Sequence, residues 1–153
     1  RPALAAIALG LVTALTALPA AAQYRNADAA IKYRQSAMAL QGNHMSRLSA
    51  MANGQVPFDA KVASEQIEVV AMLNRLQFSA FIDGSDKGNT RAKPEIWAEK
   101  DKFSAAVAKS QDDVAKLVAA GRTGSLDQIK AATGAVGQSC KACHDAYQKP
   151  QQP

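Results

Sequence analysis

The run Ser125-Leu126-Asp127-Gln128-Ile129-Lys130-Ala131-Ala132-Thr133-Gly134-Ala135-Val136-Gly137-Gln138-Ser139-Cys140-Lys141-Ala142-Cys143-His144-Asp145-Ala146-Tyr147-Gln148-Lys149 is one amphipathic helix. Ser125 and Gln128 form a capping box, in which each side chain satisfies an orphan N–H of the first turn. Pro150 and the polar Gln151-Gln152-Pro153 stop the helix near Lys149. Ile129, Val136, Cys140, Cys143 and Tyr147 fall on one face, and residues three and four apart are helical neighbours. Both cysteines and His144 therefore share a direction, towards the interior of whatever the helix packs against. Cys140-Lys141-Ala142-Cys143-His144 is also a C-x-x-C-H run, the attachment signature of c-type haem. Each thiol can add to one porphyrin vinyl group, and the following imidazole can reach the iron as proximal ligand.

Other readings compete with haem. A redox dithiol of the thioredoxin kind wants a strand–turn–helix setting, and no parallel βαβ pattern is present. A zinc site needs four ligands, and the chain holds only Cys140, Cys143, His44 and His144 as cysteines and histidines, at no zinc-finger spacing. A chance match is the remaining alternative to a five-residue pattern.

The other end of the chain bears on the compartment. Leu4 to Leu18 is an apolar run, Pro19 breaks it, and Ala20-Ala21-Ala22 offers a small-residue cleavage site before Gln23. Arg1 reads as the remnant of a basic n-region. Residues 1–22 are expected to be a secretory signal peptide; the run is short for a bilayer span. Export agrees with C-x-x-C-H, because bacterial haem attachment takes place outside the cytoplasm. The expected location is the periplasm, with no membrane association after cleavage.

The remaining 131 residues make one domain, residues 23–153. Without Arg1 the balance is 17 basic to 13 acidic side chains, a net charge of +4 spread along the chain. Nucleic-acid binding wants a concentrated basic stripe, and none is present. Three more helices precede the one quoted. The first spans about Asp28–Ala52, with Asn26 as N-cap, Asn53-Gly54 as stop and a seam of Ile31, Met38, Met45, Leu48 and Ala52. The second spans about Ala60–Ile82 after Asp59. Val62, Val69, Leu73, Leu76 and Ala80 form its seam, widened by Ile67, Val70 and Met72. Asp83–Lys93 is a polar loop. Pro94 opens a third helix to about Ala120, with Trp97, Phe103, Val107, Val114 and Leu117 inward and Gly121 and Gly124 at its end. Four amphipathic helices with short loops predict an all-α, antiparallel four-helix bundle, with the haem docked in its core.

A four-helix bundle with C-x-x-C-H near its C-terminus resembles the cytochromes c′, of the class II c-type cytochromes. Lys32-Tyr33-Arg34-Gln35-Ser36-Ala37-Met38 resembles that family's first helix, Pro94-Glu95-Ile96-Trp97 the start of its third, and Val136-Gly137 through Tyr147 its haem-binding end. The resemblance covers essentially all of residues 23–149. It implies one covalent haem c on Cys140 and Cys143, with His144 as the metal ligand. It places Arg34 near a haem propionate; a charge on the seam between Ile31 and Met38 also demands a partner, for which a carboxylate is the natural choice. It places Met38 over the distal face, without ligation in the five-coordinate members and bound to iron in the low-spin ones. It puts Phe81 at a distal wall and Trp97 near the haem. His44, six residues beyond Met38, lies on a different side of its helix and reads as a surface or interface residue. The chain departs from the family at Gln148, where many members have a basic residue against the proximal side.

Two functions stay open on this reading. A five-coordinate iron would bind NO and CO, in a pocket of Met38 and Phe81 with no obvious hydrogen-bond donor. With Met38 as sixth ligand the protein would be an electron-transfer shuttle of raised potential. No nucleophile–base constellation points to an enzyme. The resemblance further implies a homodimer paired through the first two helices, and a bundle this small is expected to expose apolar positions such as Leu40, Val56 and Ile67.

Overall fold

The computed structural model describes residues 23–150, so the expected signal peptide at 1–22 lies outside the described residues. The elements are α1 (Ala27–Ala52), α2 (Ala60–Gln77), a 3₁₀ turn (Phe78–Ala80), α3 (Glu95–Ala98), α4 (Lys100–Thr123) and α5 (Leu126–Tyr147). The four long helices form a bundle in which α1 and α4 each pack on both α2 and α5. Among the described residues there is no strand, and no helix is long and apolar enough to cross a membrane.

The helix starts follow local chemistry. Asn26 accepts from the Ala29 amide at 2.8 Å, and Asp59 accepts from the Lys61 and Val62 amides at 2.8 and 3.0 Å. Ser125 accepts from the Gln128 amide at 3.5 Å. The capping box is only half made, because the Ser125 amide donates to Thr123 Oγ1 instead of to Gln128.

Three boundaries differ from the sequence expectation. α2 tightens into the 3₁₀ turn after Gln77 rather than continuing to Ile82. The expected third helix is broken at Glu99 (φ −118°, ψ 52°), which separates the short turn carrying Ile96 and Trp97 from α4. α5 stops at Tyr147 because Gln148 turns extended and bridges antiparallel to Ala92. Gly121 does not end a helix. It is buried inside α4, and the left-handed terminator is Gly124 at φ 67°.

The bundle has two unlike halves. Leu48, Ile67, Val70, Val114, Leu117, Ile129 and Val136 fill one half as a contiguous core. Here α2 and α4 approach so closely that a Cβ at Gly121 would come within 2.9 Å of Ile67 Cδ1. Ile67, read both as part of the α2 seam and as an exposed apolar position, is core at 1 % exposure. Conversely Val62 and Leu76, expected in the α2 seam, are exposed; Ala63, Asn74 and Gln77 take the inward positions. Periodicity weighs apolarity alone, whereas the neighbouring helices select small and hydrogen-bonding side chains at their closest approach.

The Gly121 contact carries a stability prediction. Ile67→Val removes Cδ1 and should cost about 0.5–1.5 kcal/mol in the native background. In a Gly121→Ala background the same change should cost measurably less, because it also relieves the new methyl. Chemical denaturation of the four proteins of this cycle measures the coupling.

Candidate functional site

The other half of the bundle holds a cavity of about 540 Å³ that opens to solvent. α5 contributes Gly137, Cys140, Cys143, His144 and Tyr147 to its wall, as the shared helical face requires. α1 contributes the row Arg34, Met38, Gln41 and Met45, and Phe81 closes it from the segment after the 3₁₀ turn. Phe81 sits in an aromatic cluster, with ring centroids 5.0 Å from Phe103 and 6.1 Å from Trp97; Phe103 in turn lies 5.3 Å from Tyr147. Trp97 itself does not line the cavity. Its indole Nε1 donates to the Ile82 carbonyl at 3.1 Å, so it supports Phe81 from behind. His44 also lies off the cavity, with Nδ1 2.7 Å from Gln66 Oε1 of α2.

Arg34 is 2 % exposed and lines the cavity, but the expected carboxylate partner is not what holds it. Nη1 donates to the Ala80 carbonyl at 3.0 Å and to Ser85 Oγ at 2.8 Å. Nη2 donates to the Ser85 carbonyl at 2.7 Å and to Thr90 Oγ1 at 2.9 Å. The guanidinium also lies 4.6 Å from the Phe81 ring centroid. The early end of α2 explains this set, because the 3₁₀ turn leaves the Ala80 carbonyl free to accept. Only neutral acceptors meet the cation, and burial pushes its pKa below the usual arginine value.

The α5 groups suit attachment better than redox exchange. Cys140 and Cys143 are free thiols. Burial pushes both pKa values up, with the Asp113 charge adding at Cys140 and the charge of Cys140 at Cys143, the reverse of an activated dithiol. His144 is shifted down, first by burial and then by the Arg91 charge, against an opposing pull from Asp145. Its ring is thereby biased to the neutral form that metal ligation uses. Arg91 lines the same cavity, held by Nε donating to the Lys149 carbonyl at 2.9 Å. Positive charge thus reaches this side from the 81–93 loop, while Gln148 also lines the wall. No group of three or more His, Cys, Asp or Glu side chains converges among the described residues.

The cavity fits a haem. Its volume falls within the range of about 300–1,000 Å³ typical of cofactor sites. Two thiols and an imidazole open onto it from one helix face. A Cβ at Gly42 or Gly137, both in its wall, would meet no atom within 4 Å. Gln41 and Gln77, which the sequence reading passed over, also face it. The signal for Gln41 was its spacing, three residues from Met38 on the same helix face.

The family model described as Cytochrome C′ matches residues 29–148. The chain belongs to the cytochrome c′ family. It is 49% identical to the cytochrome c′ of Rubrivivax gelatinosus over 128 residues, covering 83% of this chain and 99% of that one. The crystal structure of that protein aligns with a TM-score of 0.81, covering 83% of this chain and 100% of the other. The Alcaligenes xylosoxidans cytochrome c′ aligns in a ferrous variant with bound NO (TM-score 0.80, 41% identity, 84% and 99% coverage). A carbon-monoxide-bound variant of the same protein aligns at 0.79, with 42% identity and 83% and 99% coverage.

Arg34 gives this site its clearest stability test. Arg34→Met should lower the unfolding free energy by about 2–5 kcal/mol, because the Ala80 and Ser85 carbonyls and two hydroxyls lose their donor together. Arg34→Lys should not restore it, since an ammonium cannot reproduce the planar fork. Denaturant titration, with amide exchange read over residues 82–92, measures both effects.

Proposed function

We propose that the chain is a periplasmic c-type haem protein that binds NO and CO and buffers or carries NO, without enzymatic turnover. The observation that carries this reading is the single cavity onto which Cys140, Cys143 and His144 all open, facing Met38 and Phe81. Cys140 and Cys143 would hold the porphyrin as thioethers and His144 would ligate the iron. The haem would supply one redox-active metal with a coordination position for a diatomic ligand. Family membership and the gas complexes of the Alcaligenes xylosoxidans relative support this reading. The C-x-x-C-H run and the apolar residues 1–22 support export to the periplasm.

The protein's own groups divide the work. Arg34, in the wall and short of a negative partner, suits a propionate. Met38 and Phe81 limit the size of the ligand and the access of water. Purified holoprotein should have the mass of the chain from about Gln23 plus one haem that survives acid–acetone extraction. Its ferrous spectrum should be high-spin, with a Soret band that moves on CO addition, and Met38→Ala should speed CO association. Sharp low-spin bands unmoved by CO would instead assign Met38 as a ligand and the protein as an electron shuttle.

The same reading includes a homodimer through α1 and α2. Leu40 is 52 % exposed and Val56 46 % exposed, and Val62, Met72 and Leu76 are exposed along one stripe of α2. Light scattering at micromolar concentration should give twice the chain mass, and Leu76→Glu should halve it.

A further inference from the structure

Phe81 stands in the cavity wall where its own main chain holds it weakly. It follows the 3₁₀ turn at φ −88° and ψ 54°, and its amide reaches the Phe78 carbonyl only at 3.4 Å. Its ring centroid lies 5.0 Å from Phe103, 6.1 Å from Trp97 and 6.4 Å from Phe78. Burial against such groups favours contact but is non-directional. The Ile82 carbonyl accepts from Ser85 Oγ at 2.7 Å and from Trp97 Nε1 at 3.1 Å, which holds the chain after Phe81. Arg34 of α1 holds it before and across. Nη1 donates to the carbonyl of Ala80, the residue before Phe81, and to Ser85 Oγ; Nη2 donates to the Ser85 carbonyl and to Thr90 Oγ1. The guanidinium carbon also lies over the Phe81 ring, 4.6 Å from its centroid, and 5.8 Å from that of Trp97.

We propose that Arg34 is a positioning residue for Phe81, fixing the ring in the cavity wall and thereby setting how readily a diatomic ligand enters. The inference rests on the haem reading above, in which Phe81 limits access, and names what fixes that limit. The face of an aromatic ring carries partial negative charge and is drawn to a cation. This cation is locked by four hydrogen bonds and cannot follow the ring, so the ring is held to it. Low exposure strengthens the attraction, because little water competes for the guanidinium. A lysine would keep the charge and lose the hold: its ammonium is a point charge on a flexible stem, with neither the planar fork nor a flat face to stack. Met38, unbranched and free to change rotamer, is the adaptable part of the wall, and Phe81 the fixed one.

A double-mutant cycle on CO association, followed by flash photolysis of the ferrous holoprotein, is the test. Arg34→Lys in the native background should speed association roughly two- to thirtyfold, the range that loss of one cation–π contact allows. In a Phe81→Leu background the same change should alter the rate by less than about twofold, because the ring through which Arg34 acts is gone. Acceleration of equal size in both backgrounds, or none in the native one, overturns the inference. A loop loosened as a whole would give the first of these results, which separates positioning from a merely structural role. If Arg34→Lys does not fold, Ser85→Ala carries the same test. Ser85 does not line the cavity, and its hydroxyl is one of the guanidinium's four acceptors. Its acceleration must likewise vanish with Phe81→Leu, and the same two results overturn the inference. Absence of any CO adduct in the wild type overturns the haem reading and this inference with it.

Discussion

A buried guanidinium organises the working half of this molecule. Arg34 reaches from α1 into the segment between α2 and α3 and gathers the Ala80 carbonyl, both oxygens of Ser85 and the Thr90 hydroxyl. A cation out of water is costly unless its hydrogen bonds are made in full, and a planar fork can make four of them at fixed angles. The loop must therefore close in one shape. That shape places Phe81 in the cavity wall, Trp97 behind it and Arg91 beside the end of α5. The second tie is main-chain: the Ala92–Gln148 bridge, the Lys93 amide donating to the Tyr147 carbonyl and the Lys149 amide donating to the Arg91 carbonyl. Together they lock the loop to the helix that carries Cys140, Cys143 and His144.

The bundle divides into a packed half and a half that holds the cavity lined by Cys140, Cys143 and His144. The core of Leu48, Ile67, Leu117, Ile129 and Val136 gives the bundle its register, and Gly121 lets α2 and α4 close there.

Charge is distributed unevenly around that hollow. Arg34 brings a cation with neutral partners from α1, and Arg91 brings another from the loop near His144. Asp113, buried behind Cys140, is held below the usual carboxylate range first by its hydrogen bond to Lys109, against the cost of burial. Burial is the first cause that holds both thiols protonated and the imidazole neutral, with Asp113 adding at Cys140 and Arg91 at His144. One helix face carries two kinds of reactive group, each in the form that attachment and ligation use.

The residues alone determined the helices and the chemistry of α5. The caps Asn26, Asp59 and Ser125 are local signals, satisfied within three residues, and the C-x-x-C-H run needs only helical spacing to point one way. Arg34 was legible as a seam charge in want of a partner, but its partners lie 46 to 56 residues away and no local pattern contains them. The α2 seam was misread, since Val62 and Leu76 are apolar at the right period and still face outward. Which side of a helix is buried depends on how closely its neighbours approach, and Gly121 against Ile67 sets that only in three dimensions. Gln41 was legible only as a position on the Met38 face: a glutamine on a helix reads as solvated, and that its amide is buried without a partner is a property of the space around it. Composition and spacing decide what a segment is; tertiary packing decides what surrounds it, because burial and hydrogen-bond satisfaction are relations between distant parts of the chain.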